Sequence, residues 1–257
     1  MSNSSSAGSS SFIVIPARLE STRLPRKLLL RETGRTLLEH TYLAASQARL
    51  PSGICVAVDH PLLADEVRRF GGRVQMTDPR AASGTDRVAE VAAGLDGIEI
   101  IVNVQGDEPE LSGDAIDLAV QLLVDDPQAV MSTLATPIRA RRQLDDPSCV
   151  KVVMDDLGRA LYFSRSPIPF ARPWSDRLLT AEPACFYQHI GLYAYRRTFL
   201  RQLATLPRSG LEALESLEQL RVLSAGYALR VGLVEHAAAG IDTPEDYQAF
   251  VERLRGR

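Results

Sequence analysis

The apolar positions of this chain follow two rhythms. "FIVIPA" (12–17), "GICVAVD" (53–59) and "EIIVNVQ" (99–105) are short apolar runs of the kind that form buried strands. Between and after them, "TLLEHTYLAASQA" (36–48), "PLLADEVRRF" (61–70), "SGTDRVAEVAAGL" (83–95) and "GDAIDLAVQLLVDD" (113–126) carry apolar side chains at helical spacing. "RVQMT" (73–77) adds a strand, and Gly71-Gly72 closes the helix before it. The alternation predicts an α/β fold with a mostly parallel central sheet and helices on both faces. Such sheets bind ligands beyond the carboxyl ends of their strands. The loops after residues 17, 59 and 105 are therefore the places to look for a site.

The second half is less regular. "AVMSTLATPI" (129–138), "SCVKVVMD" (148–155), "YQHIGLYAYR" (187–196) and "LRVGLVEH" (229–236) read as strands, and "LYFSRSPIPFARP" (161–173) as a strand entering a proline-rich loop. "LEALESLEQLRVLSAG" (211–226) reads as one amphipathic helix. "TPEDYQAFVERLR" (243–255) reads as a closing helix, started by Thr243 and Pro244. No linker or internal repeat divides the chain, so residues 12–257 are expected to form a single domain behind a disordered tail over 1–11.

Composition narrows the function. The chain has 257 residues, 45% apolar and 24% charged, with a net charge of −3. These are values of a soluble protein with a real core, and they argue against a general nucleic-acid binder. "MSNSSSAGSSS" lacks the basic start and apolar segment of a secretory signal, and no apolar run is long enough to span a bilayer. Cys55, Cys149 and Cys185 are widely spaced and form no zinc pattern, as expected of thiols in a reducing, cytoplasmic setting.

Against that acidic balance, "ARLESTRLPRK" (17–27) crowds Arg18, Arg23, Arg26 and Lys27 behind the first strand. Guanidinium forks and an ammonium suit the oxygens of a triphosphate, although a solvated basic loop has the same composition. Lys27 and Lys151 are the only lysines in a chain otherwise rich in arginine. No GxxxxGK[ST] loop and no GxGxxG follows the first strand, which disfavours P-loop and classical dinucleotide enzymes. In "QGDEP" (105–109), Gly106 permits a sharp turn and Asp107 stands at a strand's carboxyl end. That position suits Mg²⁺, and it equally suits a turn aspartate. Asp242, in "GIDTPED" (240–246), fits helix-start chemistry. It would complete a divalent-metal site only if the fold brought it to Asp107. Ser83 and Asp86 in "SGTDR" have capping-box spacing at a helix start that could also receive an anion or a base edge.

Taken in order, "IPAR", "STRLPRK", "SGTDR", "VNVQGDEP", "YFSR", "HIGLYAYR", "LEALESLEQLRVL" and "GIDTPED" resemble the 3-deoxy-manno-octulosonate (KDO) cytidylyltransferase family, also called the CMP-KDO synthetases. The likeness runs from about residue 12 to 250. It implies a nucleotide-diphospho-sugar transferase-like (Rossmann-like) fold, a Mg²⁺ cofactor and a homodimer. The implied reaction is CTP plus KDO giving CMP-KDO and pyrophosphate, for lipopolysaccharide biosynthesis. The same chemistry on an 8-amino KDO or on a sialic acid is the alternative.

Carried over by position, the resemblance puts Ala17, Arg18, Arg23, Lys27, Ser83, Gly84, Thr85 and Arg87 around CTP. It puts Gln105, Arg165, His189, Glu218 and Gln219 around the sugar, and Asp107 and Asp242 on the metal. Arg18, Lys27, Asp107 and Asp242 form its implied catalytic set. Two places depart from the family pattern. Arg26 and Leu28 flank the lysine where Gly and Pro are usual, and Ala213-Leu214 replaces a common His-Ile pair.

Overall fold

The computed structural model describes residues 10–81, 83–238 and 240–256. In chain order the elements are β1 (Ser11–Ala17), α1 (Leu37–Ala45), β2 (Pro51–Val58), α2 (Pro61–Arg69), β3 (Val74–Met76), α3 (Gly84–Ala93), β4 (Ile100–Asn103), α4 (Gly113–Asp125) and β5 (Ala129–Pro137). There follow α5 (Arg141–Asp145), β6 (Lys151–Met154), β7 (Ala160–Ser164), β8 (Tyr187–Arg196), α6 (Arg197–Leu203), α7 (Gly210–Glu215), α8 (Gln219–Ser224), β9 (Ala228–Leu233) and α9 (Pro244–Arg255). The sheet runs β3-β2-β1-β4-β8-β5-β9, with β6 and β7 joined at the side of β8. Along that path only β8 opposes its neighbours; the other pairings are parallel. The expected mostly parallel α/β sheet is therefore present.

Every residue of β1 is buried because both of its faces are covered. Ile13 and Ile15 pack under α1, α2, α4 and α9, while Phe12 and Val14 pack under α3, α6 and α8. This explains why β1 reads as a continuous apolar run and not as an alternating one. β8 alternates instead. Ile190, Leu192 and Ala194 join the first core, and Tyr193 and Tyr195 the second.

The caps expected at Ser83 for α3 and Thr243 for α9 are present, and the structure adds Thr36 for α1 and Ser112 for α4. The boxes at Ser83 and Thr243 are reciprocal. The expected single helix over 211–226 is two short ones. Ser216 takes the left-handed conformation (φ 52°) between α7 and α8, and this turns the chain at Leu217–Glu218. α5 and α6 carry too few residues for a helical period to stand out. The tail boundary also moves. Ser11 belongs to β1, and the Ser10 carbonyl accepts from Glu99 and Ile100, so these two residues extend the sheet. The rest of the serine-rich segment, 1–9, lies outside the described residues.

Candidate active site

The strand order reverses between β1 and β4, because β2 and β3 continue to one side of β1 and β8 and β5 to the other side of β4. A crevice opens at such a switch point. Here it is a cleft of about 410 Å³ lined by the loops after β1, β2 and β4, the start of α3, and Asp242. Gly106 lets the β4 loop pass beneath the end of β1. A Cβ there would sit 3.1 Å from the Pro16 carbonyl, closer than side-chain carbons normally come. The Thr41 hydroxyl fixes the same loop by donating to the Gly106 carbonyl at 2.9 Å.

Asp107 and Asp242 meet. The Ile241 amide donates to the Asp107 carbonyl at 3.0 Å, which ties the segment before α9 to the β4 loop. The Lys27 ammonium lies between the two carboxylates. It donates to Asp107 Oδ2, to Asp242 Oδ1 at 2.8 Å and to the Ile241 carbonyl at 2.9 Å. Arg23 pairs with the other Asp242 oxygen at 2.9 Å. Burial works against the charge on Lys27, but Asp107 and Asp242 more than offset it and hold its pKa above the usual lysine value. Burial likewise disfavours the Asp242 carboxylate, and Lys27 and Arg23 outweigh it, so its pKa lies below the ordinary range.

This donor set fits a hard divalent cation. Two carboxylates and a carbonyl already converge on one positive charge, and Mg²⁺ commonly takes one or two carboxylates with phosphate and water completing its shell. Among the described residues no group of three or more His, Cys, Asp or Glu converges, so a metal here would draw further ligands from substrate and solvent.

Of the residues expected around the nucleotide, Ala17, Arg18, Lys27, Ser83, Gly84 and Arg87 line this cleft. Arg18 is exposed at its mouth. Arg87 is only 5% exposed, and its guanidinium is spent on the protein: it donates to Thr77 Oγ1 and to the Asp78 carbonyl, both at 2.9 Å, and pairs with Asp59 at 3.4 Å. It braces the 77–79 wall. Arg23 is outside the lining and reaches the site through Asp242.

A second cleft of about 200 Å³ adjoins the first through Gly84 and Gln105. Thr85, Glu218 and Gln219 line it, together with Asn103, Tyr193 and Tyr195. Burial raises the pKa of Glu218 above the usual carboxyl value, against the Thr85 hydroxyl that hydrogen-bonds to it. Gln219 is 3% exposed and its Nε2 has no hydrogen-bond partner, a buried donor left free at the cleft wall.

Two expected sugar residues are not in this lining. Arg165 donates to the Glu215 carbonyl at 2.7 Å and to the Pro147 carbonyl at 3.0 Å, which ties it to the end of α7 and to the segment before β6. His189 lies behind Tyr193, with ring centroids 5.5 Å apart, and meets Thr133 Oγ1 at 3.0 Å. Burial pushes its pKa down to about 3, so it is a neutral hydrogen-bonding group that supports Tyr193. Tyr193 and Tyr195 escape the sequence reading, although their period-two spacing with His189 on β8 is the signal that puts all three on one face.

Residues 12–232 match the family described as "Cytidylyltransferase". The chain is 49% identical over 246 residues to the 3-deoxy-manno-octulosonate cytidylyltransferase of Rhodopirellula baltica, covering 95% of this chain and 98% of that one. It is 47% identical to the Syntrophotalea carbinolica protein of the same name, with 95% and 98% covered. A solved CMP:2-keto-3-deoxy-manno-octonic acid synthetase complexed with CTP superposes with a TM-score of 0.89 at 39% identity, covering 96% of this chain and 99% of that one. A 4-diphosphocytidyl-2C-methyl-D-erythritol synthase from Anaerococcus prevotii, 16% identical with a TM-score of 0.62, shares the fold. With a matching family over most of its length and relatives near half identity end to end, the chain belongs to the 3-deoxy-manno-octulosonate cytidylyltransferase family.

Proposed function

We propose that this protein activates KDO with CTP, giving CMP-KDO and pyrophosphate. The observation that carries the reading is the convergence of Lys27, Asp107 and Asp242 at the switch-point cleft, in a chain that superposes on a CTP-bound synthetase at a TM-score of 0.89. Two adjoining clefts, with Gln105 in the lining of both, support separate places for triphosphate and sugar.

In the proposed reaction the anomeric C2 hydroxyl of KDO attacks the α-phosphorus of CTP in line. A new P–O bond to the sugar forms as the bond from the α-phosphorus to the bridging oxygen breaks, pyrophosphate leaves, and the proton of the hydroxyl passes to solvent. The protein's part is positioning and charge stabilisation. Arg18 and Lys27 receive the phosphate oxygens, with Arg23 at their edge. The start of α3, at Ser83, Gly84 and Thr85, lies alongside the nucleoside. Gln105, Glu218 and Gln219 hydrogen-bond the sugar hydroxyls, and the free Nε2 of Gln219 supports that assignment. Asp107 and Asp242 would hold Mg²⁺, which when bound neutralises phosphate charge and lowers the pKa of the attacking hydroxyl.

The reading extends to lipopolysaccharide biosynthesis in the cytoplasm and to a homodimer. Among the described residues no helix is long and apolar enough to cross a membrane. The test is pyrophosphate release from CTP with Mg²⁺, run with KDO, with sialic acid and without sugar. Release with KDO alone is expected. Release with sialic acid alone, or without any sugar, would overturn the assignment.

A further inference from the structure

Lys27 is one of two lysines in the chain, and its ammonium makes three hydrogen bonds, the most it can make. All three acceptors, Asp107 Oδ2, Asp242 Oδ1 and the Ile241 carbonyl, are oxygens of the kind a hard cation takes. The ammonium therefore stands at the point of convergence itself and not beside it. Arg23 takes the remaining oxygen of Asp242, so that carboxylate is engaged on both sides.

We propose that Lys27 is an internal counter-cation that closes the Asp107–Asp242 pair to divalent metal in the free protein, and that a nucleoside triphosphate opens the pair by drawing the ammonium onto its phosphate oxygens. This inference rests on the reading of Asp107 and Asp242 as a metal pair.

Charge balance supplies the driving force. With Lys27 and Arg23 in place the two carboxylates are neutralised, so a divalent ion arriving alone meets two cations and no net negative charge. A triphosphate changes both sides of the balance: it offers Lys27 a stronger anion, and it offers the metal oxygen ligands of its own. The geometry allows the exchange. The Lys27 side chain is 12% exposed and already lines the 410 Å³ cleft, so a change of rotamer is enough to turn its ammonium from the carboxylates into the cleft. An arginine would serve poorly here. The planar fork does not fit between two carboxylates and a carbonyl that meet at one point, whereas a compact ammonium does. Metal and nucleotide should consequently bind with strong mutual dependence, each removing the obstacle to the other.

The test uses Mn²⁺ as the probe, with its binding followed by electron paramagnetic resonance on the full chain. Without nucleotide, Lys27→Met should bind Mn²⁺ at least about tenfold more tightly than the unaltered protein. Lys27→Arg, which keeps a charge, should bind less tightly than Lys27→Met. The double variant Lys27→Met/Asp107→Asn should lose the gain. Saturating α,β-methylene CTP should raise Mn²⁺ affinity by a larger factor in the unaltered protein than in Lys27→Met. Circular dichroism of each variant establishes that it is folded, and Lys27→Gln replaces Lys27→Met if that one is not. Equal Mn²⁺ affinity with and without Lys27, together with weakening by Asp107→Asn, overturns the counter-cation and leaves the metal pair standing. Mn²⁺ binding that ignores Asp107→Asn in every background overturns both.

Discussion

Lys27 and Asp107 lean on each other in the free protein, so substitutions at the two should fail differently. Asp107→Asn keeps the shape of the side chain and the backbone tie to Ile241. Turnover should fall by about 100-fold or more, the scale expected when charge stabilisation at a reacting phosphate is lost. The melting temperature should stay within a few degrees. Pyrophosphate release beside a thermal melt checks both, and near-normal turnover with Mg²⁺ would remove Asp107 from the chemistry. Lys27→Ala should chiefly weaken CTP, by about tenfold or more, because it deletes a charge-assisted contact to phosphate. The apparent affinity for CTP reads this directly. A value unchanged from the unaltered protein would take Lys27 out of the triphosphate site.

Among the elements, the 3₁₀ turn over Lys27–Leu29 carries an unusual start. Arg26 precedes it in the left-handed region, at φ 52°, and its side chain makes no capping hydrogen bond. An L-residue there costs about 1–2 kcal/mol, and glycine gives back part of that through its freer unfolded chain. Arg26→Gly should therefore stabilise the fold by roughly 0.5–1 kcal/mol, a rise of about 1–4 °C in melting temperature for a domain of this size. A melting temperature that falls would show that the arginine side chain holds the loop by a contact stronger than the strain. The same conformation at Ser216 has a different consequence. By breaking the helix expected over 211–226, it swings Glu218 and Gln219 into the second cleft, so the irregularity builds the site.

At the scale of the whole molecule, the second lysine is structural. Lys151 is fully buried, and its ammonium donates to the carbonyls of Asp146 at 2.9 Å, Cys149 at 2.7 Å and Arg165 at 2.5 Å. Lys151→Met keeps the stem but takes the ammonium donor from the Cys149 and Arg165 carbonyls, while the Asp146 carbonyl keeps the Cys149 amide, at a cost of about 2–4 kcal/mol, measurable by urea unfolding. Acid should loosen the fold for a related reason. Hydrogen bonds from Arg69 hold the nearly buried Glu66 below its ordinary pKa of 4.5, and those from Arg221 do the same for Glu212. A carboxylate depressed on folding contributes stability above its unfolded value and loses it as the pH falls through the folded one. From these groups the melting temperature should hold between about pH 5 and 6 and drop below about pH 4. Glu108 works in the opposite direction. Burial first, and then Asp107, lift its pKa to about 8, so folding favours its protonated form and stability declines as the pH rises from 4.5 towards 8. Glu108→Gln should flatten that alkaline decline in a series of thermal melts.

What the chain alone determined follows from local physics. Apolar runs mark β1, β2 and β4 because both faces of those strands are covered, and capping residues mark α3 and α9 because unpaired helix amides need partners nearby in sequence. The basic loop and the Gly-Asp turn could be recognised as candidate chemistry because both follow predicted strands. Tertiary structure alone decided the rest. Asp107 and Asp242 are distant in sequence and meet only because the loops after β4 and before α9 are tied at Ile241. Arg87 and Arg165, plausible ligands by type, are committed to protein carbonyls and a carboxylate that no spacing rule announces. The placing of an ammonium between two carboxylates is likewise a fact of three dimensions, since charges are paired by distance in space and not along the chain.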